Sequence, residues 1–168
     1  MYNDDRGHKA YLEILDKEDS KLQQKRTEQK FAMQSWVQTL KPWEVFATFT
    51  WEDWRPQDCR GTSMDSGRRT FERFMRKELP SCSYFYVLED NTGDRAGLGC
   101  HVHALLADTV GVQRKEVWAK WWDRFGFSRI EPIKCQEDVA NYCAKYVCKE
   151  AAWWNFKVLP DTLRAQRA

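Results

Sequence analysis

Two short runs, Ser83–Asp90 and Cys100–Ala107, flank a connection that holds Asn91, Gly93, Asp94, Gly97 and Gly99. Both runs are rich in aromatic and branched apolar residues, and the connection is rich in residues that tolerate tight turns, so the segment reads as an antiparallel hairpin. A hairpin alone is marginal in water, so its neighbours must cover it. Before it, Val45-Phe46-Ala47-Thr48-Phe49-Thr50-Trp51 reads as a strand, followed by a loop from Glu52 to Gly61. Asp65 or Ser66 then caps a helix with Phe71, Phe74, Met75 and Leu79 at helical spacing, and Pro80 stops it. After the hairpin, Gln113–Phe125 is expected as a helix, Phe127–Ile133 as a strand and Gln136–Glu150 as a last helix. The order β-α-β-β-α-β-α predicts an α+β sandwich with a central antiparallel sheet of four to five strands. Helices should cover one face, in a ferredoxin-like or split β-α-β arrangement.

Residues 9–40 carry only a thin apolar stripe (Leu12, Leu15, Leu22, Phe31, Trp36, Val37, Leu40) among many Lys, Glu and Gln. They read as one or two polar helices ended by Pro42. The expected organisation is a helical arm over 1–40, one catalytic domain over 41–157 and a tail over 158–168. The chain has 168 residues, enough for a core without disulfides. Its nine Trp, nine Phe and six Tyr exclude a disordered composition. Trp118, Trp121 and Trp122 read as core. A formal charge of +2 does not by itself announce a nucleic-acid binder. The six cysteines form no C-x-x-C pair, which fits reduced thiols. No long apolar run and no leader pattern is visible, so a soluble, cytoplasmic protein without membrane contact is expected.

His101-Val102-His103 lies inside the third strand. Alternate strand residues point the same way, so both imidazoles project from one face and offer two ligands to one metal. Alone, the pattern also suits a solvated strand face. The preceding strand ends in Glu89 and Asp90, either of which can add an oxygen. Two imidazoles and a carboxylate with open positions suit Mg²⁺ or Mn²⁺ that must still accept a phosphate oxygen.

The last helix contains Tyr142-Cys143-Ala144-Lys145-Tyr146-Val147-Cys148-Lys149, a Tyr-x-x-Lys unit repeated after four residues. At about 100° per residue, Tyr142, Lys145, Tyr146 and Lys149 share one face, with Asp138 on the same arc a turn earlier. A phenol is a poor nucleophile at neutral pH, and a lysine one turn away favours its phenolate and holds a phosphate. One such unit is an ordinary amphipathic pattern. Two in register after His-x-His suggest chemistry.

Phe46–Trp51, His101-x-His103 and the Tyr142/Tyr146 repeat together resemble the three motifs of HUH endonucleases, over about residues 43–150. The paired tyrosines resemble the rolling-circle replication initiators of small single-stranded DNA phages and related plasmids. The resemblance implies that Tyr142 and Tyr146 are nucleophiles, that Lys145 or Lys149 assists the phosphate, and that Glu89 completes the metal site with His101 and His103. Asp138 is a candidate support. It also implies nicking and rejoining of single-stranded DNA at an origin, with a 5′-phosphotyrosine intermediate and a free 3′ hydroxyl.

No G-x-x-x-x-G-K-[ST] occurs, so a separate helicase and polymerase are the expected partners, in the host cell of a phage, plasmid or other mobile element. For gripping the strand, Trp51, Trp54 and Arg55 and the basic helix with Arg68 and Arg69 are candidates. The competing readings are a non-catalytic single-stranded nucleic-acid-binding module, a zinc protein using Cys135, Cys143 or Cys148, and a transposase of the same catalytic family. The sequence does not set the oligomeric state.

Overall fold

The computed structural model describes residues 5–51, 63–90, 99–135, 137–139, 142, 146 and 152–160. Along the chain come α1 (Asp5–Leu40), β1 (Val45–Thr50), α2 (Met64–Glu78), β2 (Ser83–Asp90), β3 (Cys100–Ala107), α3 (Arg114–Arg124), β4 (Ser128–Pro132) and β5 (Ala152–Lys157). Residues 137–139, Tyr142 and Tyr146 also have helical backbone. The strands form one five-stranded sheet in the order β4-β1-β3-β2-β5, with every neighbouring pair antiparallel. The expected α+β class is the one observed. Among the described residues, no helix is long and apolar enough to cross a membrane.

The sheet is covered on both faces, not one. On one face Phe49, Tyr86, Leu88, Val102 and Ala104 pack with Phe71, Phe74 and Met75 of α2 and with Val117 and Trp121 of α3. On the other, Phe85, Val87, Leu105 and Ala107 pack with Val37 of α1, Trp43, Val139 and Tyr142. The reason is visible in the central strands. β2 and β3 are apolar at both parities, and nearly every residue in them is buried, as a strand sandwiched between two layers requires. Each fully buried Phe, Leu, Val or Met here contributes roughly 1.5–3 kcal/mol.

α1 is a single helix whose side chains from Leu12 to Ala32 are exposed. Its last two turns pack on the sheet through Met33, Trp36, Val37 and Leu40. Trp43 secures the exit, since its indole N–H donates to the Val37 carbonyl at 2.8 Å. α2 starts earlier than expected: Ser63 is its cap, accepting from the Ser66 N–H, while Asp65 lies in the first turn and pairs with Arg68 and Arg69. The sequence reading does not locate β5. Its Ala-Trp-Trp-Asn-Phe-Lys run has no β-branched residue, and aromatic rings from it pack on both faces of the sheet edge. Of the three tryptophans expected in the core, Trp121 is fully buried and donates to the Thr50 carbonyl at 3.0 Å. Trp118 is 39% exposed and Trp122 is half-buried, which corrects the expectation that both lie in the core.

α2 lies close to β3 at Gly67, where an added Cβ would stand 2.4 Å from the Cys100 sulfur. Burial pushes the Cys100 thiol up to about 12, so it acts as a neutral apolar group. Gly67→Ala gains about 1 kcal/mol of helix propensity but forces a clash that costs about 1–3 kcal/mol. A net loss of stability is expected in denaturant unfolding. Adding Cys100→Ala should restore it; if the double variant is no more stable than Gly67→Ala, the close approach is not the cause.

Candidate metal and tyrosine centre

The hairpin register sets Glu89 opposite His101 and Val87 opposite His103, while β1 sets Thr50 opposite His101 and Thr48 opposite His103. Because parity is shared, Glu89, His101, His103, Thr48 and Phe46 all project from the sheet face on which α1, Val139, Tyr142 and Tyr146 lie. Glu89 Oε2 lies 3.0 Å from His101 Nε2 and 3.6 Å from His103 Nε2. The three ligand atoms sit within 4.8 Å of one another, and no other such group occurs among the described residues. Glu89 and His103 are buried and His101 is partly exposed. Two nitrogens and one carboxylate oxygen that converge in this way form a donor set that fits a divalent ion.

Sequence reasoning missed Thr48. Its Oγ1 lies 3.1 Å from His103 Nδ1. When Nδ1–H donates to that hydroxyl, Nε2 is the unprotonated nitrogen and faces Glu89, the tautomer a ligand requires. The only sequence signal was its even parity with Phe46 and Thr50; which histidine it meets depends on strand register. Thr48→Val keeps the shape and removes the acceptor. It is expected to weaken Mn²⁺ binding by about 10–100-fold in isothermal titration calorimetry. Unchanged affinity would show that His103 needs no such partner.

The tyrosines lie against this centre in different states. The Tyr146 ring stacks on the His103 ring, centroids 3.7 Å apart and planes 26° from parallel. Tyr142 is 4% exposed, packs edge-on to Phe46 at 4.8 Å, and its hydroxyl donates to the His103 carbonyl. The two phenol rings are 5.1 Å apart. Beside them opens a pocket of about 450 Å³, with Phe46, Leu105 and Ile133 as apolar lining and Glu131, Lys134 and Asp138 as polar lining.

Asp138 stands apart from the Glu-His-His group. Its carboxylate accepts from the backbone N–H groups of Lys134 and Cys135, which makes it a local cap. Lys145 and Lys149 lie outside the described residues, as do Trp54, Arg55, Cys143 and Cys148. Trp51 is 8% exposed and packs edge-on against Trp121 at 5.3 Å. Arg68 pairs with Asp65 and Glu72 and lies over the Trp153 ring at 5.6 Å. Arg69 pairs with Asp65. Both sit on α2, across the sheet from the histidines.

No curated protein and no solved structure matches the chain. Residues 44–151 match the family described as Replication-associated protein ORF2. That span takes in β1, α2, the hairpin with its Glu-His-His group, α3, β4 and both tyrosines. By this match, which covers well over half of its length, the chain belongs to the ORF2 family of replication-associated proteins.

Proposed function

We propose that this replication protein nicks and rejoins single-stranded DNA at an origin, as a two-tyrosine HUH initiator of rolling-circle replication. The observation that carries the reading is the convergence of Glu89, His101 and His103 with Tyr146 stacked directly on one of them. Those three residues would hold a divalent ion, which when bound would supply Lewis-acid polarisation of the scissile phosphate. The phenol oxygen of Tyr146 attacks phosphorus, the P–O3′ bond breaks and the 3′ oxygen leaves as a hydroxyl. One phosphodiester replaces another, so the 5′-phosphotyrosine link keeps the bond energy needed for rejoining.

Tyr146 is proposed to cut first, because the Tyr142 hydroxyl is committed to the His103 carbonyl and almost fully buried. Tyr142 then serves the second transfer after its hydrogen bond opens. Lys145 and Lys149 are proposed as phosphate partners from their spacing alone. The catalytic unit is taken as 41–157, with an arm before it and a tail after it, and unwinding is left to a separate helicase.

The test is incubation with a pool of labelled single-stranded oligonucleotides and Mn²⁺, with and without chelator, read on a denaturing gel. A chelator-sensitive band carrying both protein and DNA supports the reading. Binding without any adduct, persisting with cognate origin DNA, favours a non-catalytic binding module instead.

A further inference from the structure

Trp118 and Trp122 stand one turn apart on α3 and stack on each other outside the core, centroids 5.3 Å apart and planes within 16°. Trp122 meets the Phe127 ring edge-on at 6.3 Å, and Phe127 is 46% exposed. Scattered apolar residues on a surface need no explanation, but a stacked pair of indoles extended by a third ring is a contiguous patch that marks a binding surface.

The patch is joined to the proposed cleavage centre. The Phe127 carbonyl accepts from both the Thr50 N–H, at 2.9 Å, and the Thr50 hydroxyl, at 3.0 Å. Thr50 is the residue opposite His101. Two positions beyond Phe127, Arg129 lies opposite Thr48, which in turn lies opposite His103. Ser128 is buried towards the α2–α3 side, so alternation turns Arg129 to the face that holds the histidines. Rings and guanidinium thus run from α3 over the edge strand β4 onto that face.

The charged side chains of α3 nearest the two indoles are basic. On a helix turning about 100° per residue, Arg114 and Lys115 flank the two indoles, whereas Glu116 and Asp123 fall on the far side. Arg114 and Lys115 are exposed. Arg129 pairs with Glu131 at 2.9 Å, but that pair is solvent-exposed, and such a pair is weak enough for a phosphate to displace. Aromatic planes with cations beside them suit a flexible polyanion whose bases can stack, which is single-stranded DNA.

We infer that Trp118, Trp122 and Phe127, with Arg114, Lys115 and Arg129, form a track that holds the single strand flanking the cleavage centre. This rests on the reading of the chain as a single-strand nuclease, and the test separates the two. Binding of a fluorescein-labelled oligothymidine of about 30 nucleotides to the full chain is followed by anisotropy in chelator, so that no cutting is required. The Trp118→Ala/Trp122→Ala double variant, with its fold checked by circular dichroism, is expected to lose affinity by about tenfold or more. Trp118→Phe/Trp122→Phe should recover most of it, and affinity for blunt duplex should hold, since its bases are already stacked. Unchanged single-strand affinity in the alanine variant overturns the track. So does an equal loss for single strand and duplex. A wild-type dimer that falls apart in the variant while single-strand affinity stays the same would also overturn it, assigning the patch to a second copy of the chain. Loss of single-strand affinity in a protein that never forms an adduct would keep the track and remove the nuclease reading.

Discussion

Replacing Tyr142 and Tyr146 together by phenylalanine is expected to abolish the covalent protein–DNA adduct, by about four orders of magnitude or more in rate, the scale on which loss of a nucleophile acts. The fold should survive, because phenylalanine keeps the ring that packs on Phe46 and the ring that stacks on His103. The change at Tyr142 removes the bond from its hydroxyl to the His103 carbonyl, worth about 1 kcal/mol. The single variants separate the roles. Tyr146→Phe should lose the first adduct, while Tyr142→Phe should still cut but fail to pass the strand on. The measurement is adduct yield on a denaturing gel, followed by a strand-transfer assay with two labelled oligonucleotides. If Tyr142→Phe alone removes the first adduct, the order proposed from burial is reversed. If the double variant still forms an adduct, the nucleophile is another residue.

A loss of similar size is expected from His103→Ala, and here it can be read without any DNA. A ligand that binds only the folded state stabilises it by RT ln(1 + [L]/Kd), about 2.7 kcal/mol at one hundred times Kd. For a chain of this length that is a rise in Tm of roughly 5–11 °C. Wild-type protein with saturating Mn²⁺ should show this rise and lose it on adding chelator. His103→Ala should show no Mn²⁺-dependent rise, because it removes a buried nitrogen that points at Glu89. Adduct formation should fall with it. A Mn²⁺-dependent rise that persists unchanged in His103→Ala would place the metal elsewhere; a rise that vanishes while adducts persist would divorce the metal from the chemistry.

Much of the fold was legible because local patterning was strong. The limits expected for the hairpin strands, Ser83–Asp90 and Cys100–Ala107, are those observed, since turn-forming residues interrupt the apolar runs on the side of the connection. The same period of two placed His101 and His103 on one face. Trp118 and Trp122 were misread because helical periodicity gives the spacing of an apolar stripe but not its width. Trp121 and Val117 already fill the contact with the sheet, so the neighbouring indoles turn outward. Trp51, a candidate for gripping the strand, is buried against Trp121 of α3, a contact that no pattern within its own segment encodes.

Sequence alone thus determined the order of elements from β1 to β4, the pairing of two imidazoles, and the four-residue spacing of two tyrosines, all of which follow from periodicities within one segment. Register and layering were decided only in three dimensions. A one-residue slip between strands would move Glu89 to the other face. No segment encodes by itself that Thr48 meets His103, that Tyr146 stacks on that ring while Tyr142 is tied to its carbonyl, or that aromatic rings from α3 continue around β4. Those contacts arise because segments far apart in the chain must share one sheet, and the sheet's two faces take whatever each segment has left to bury.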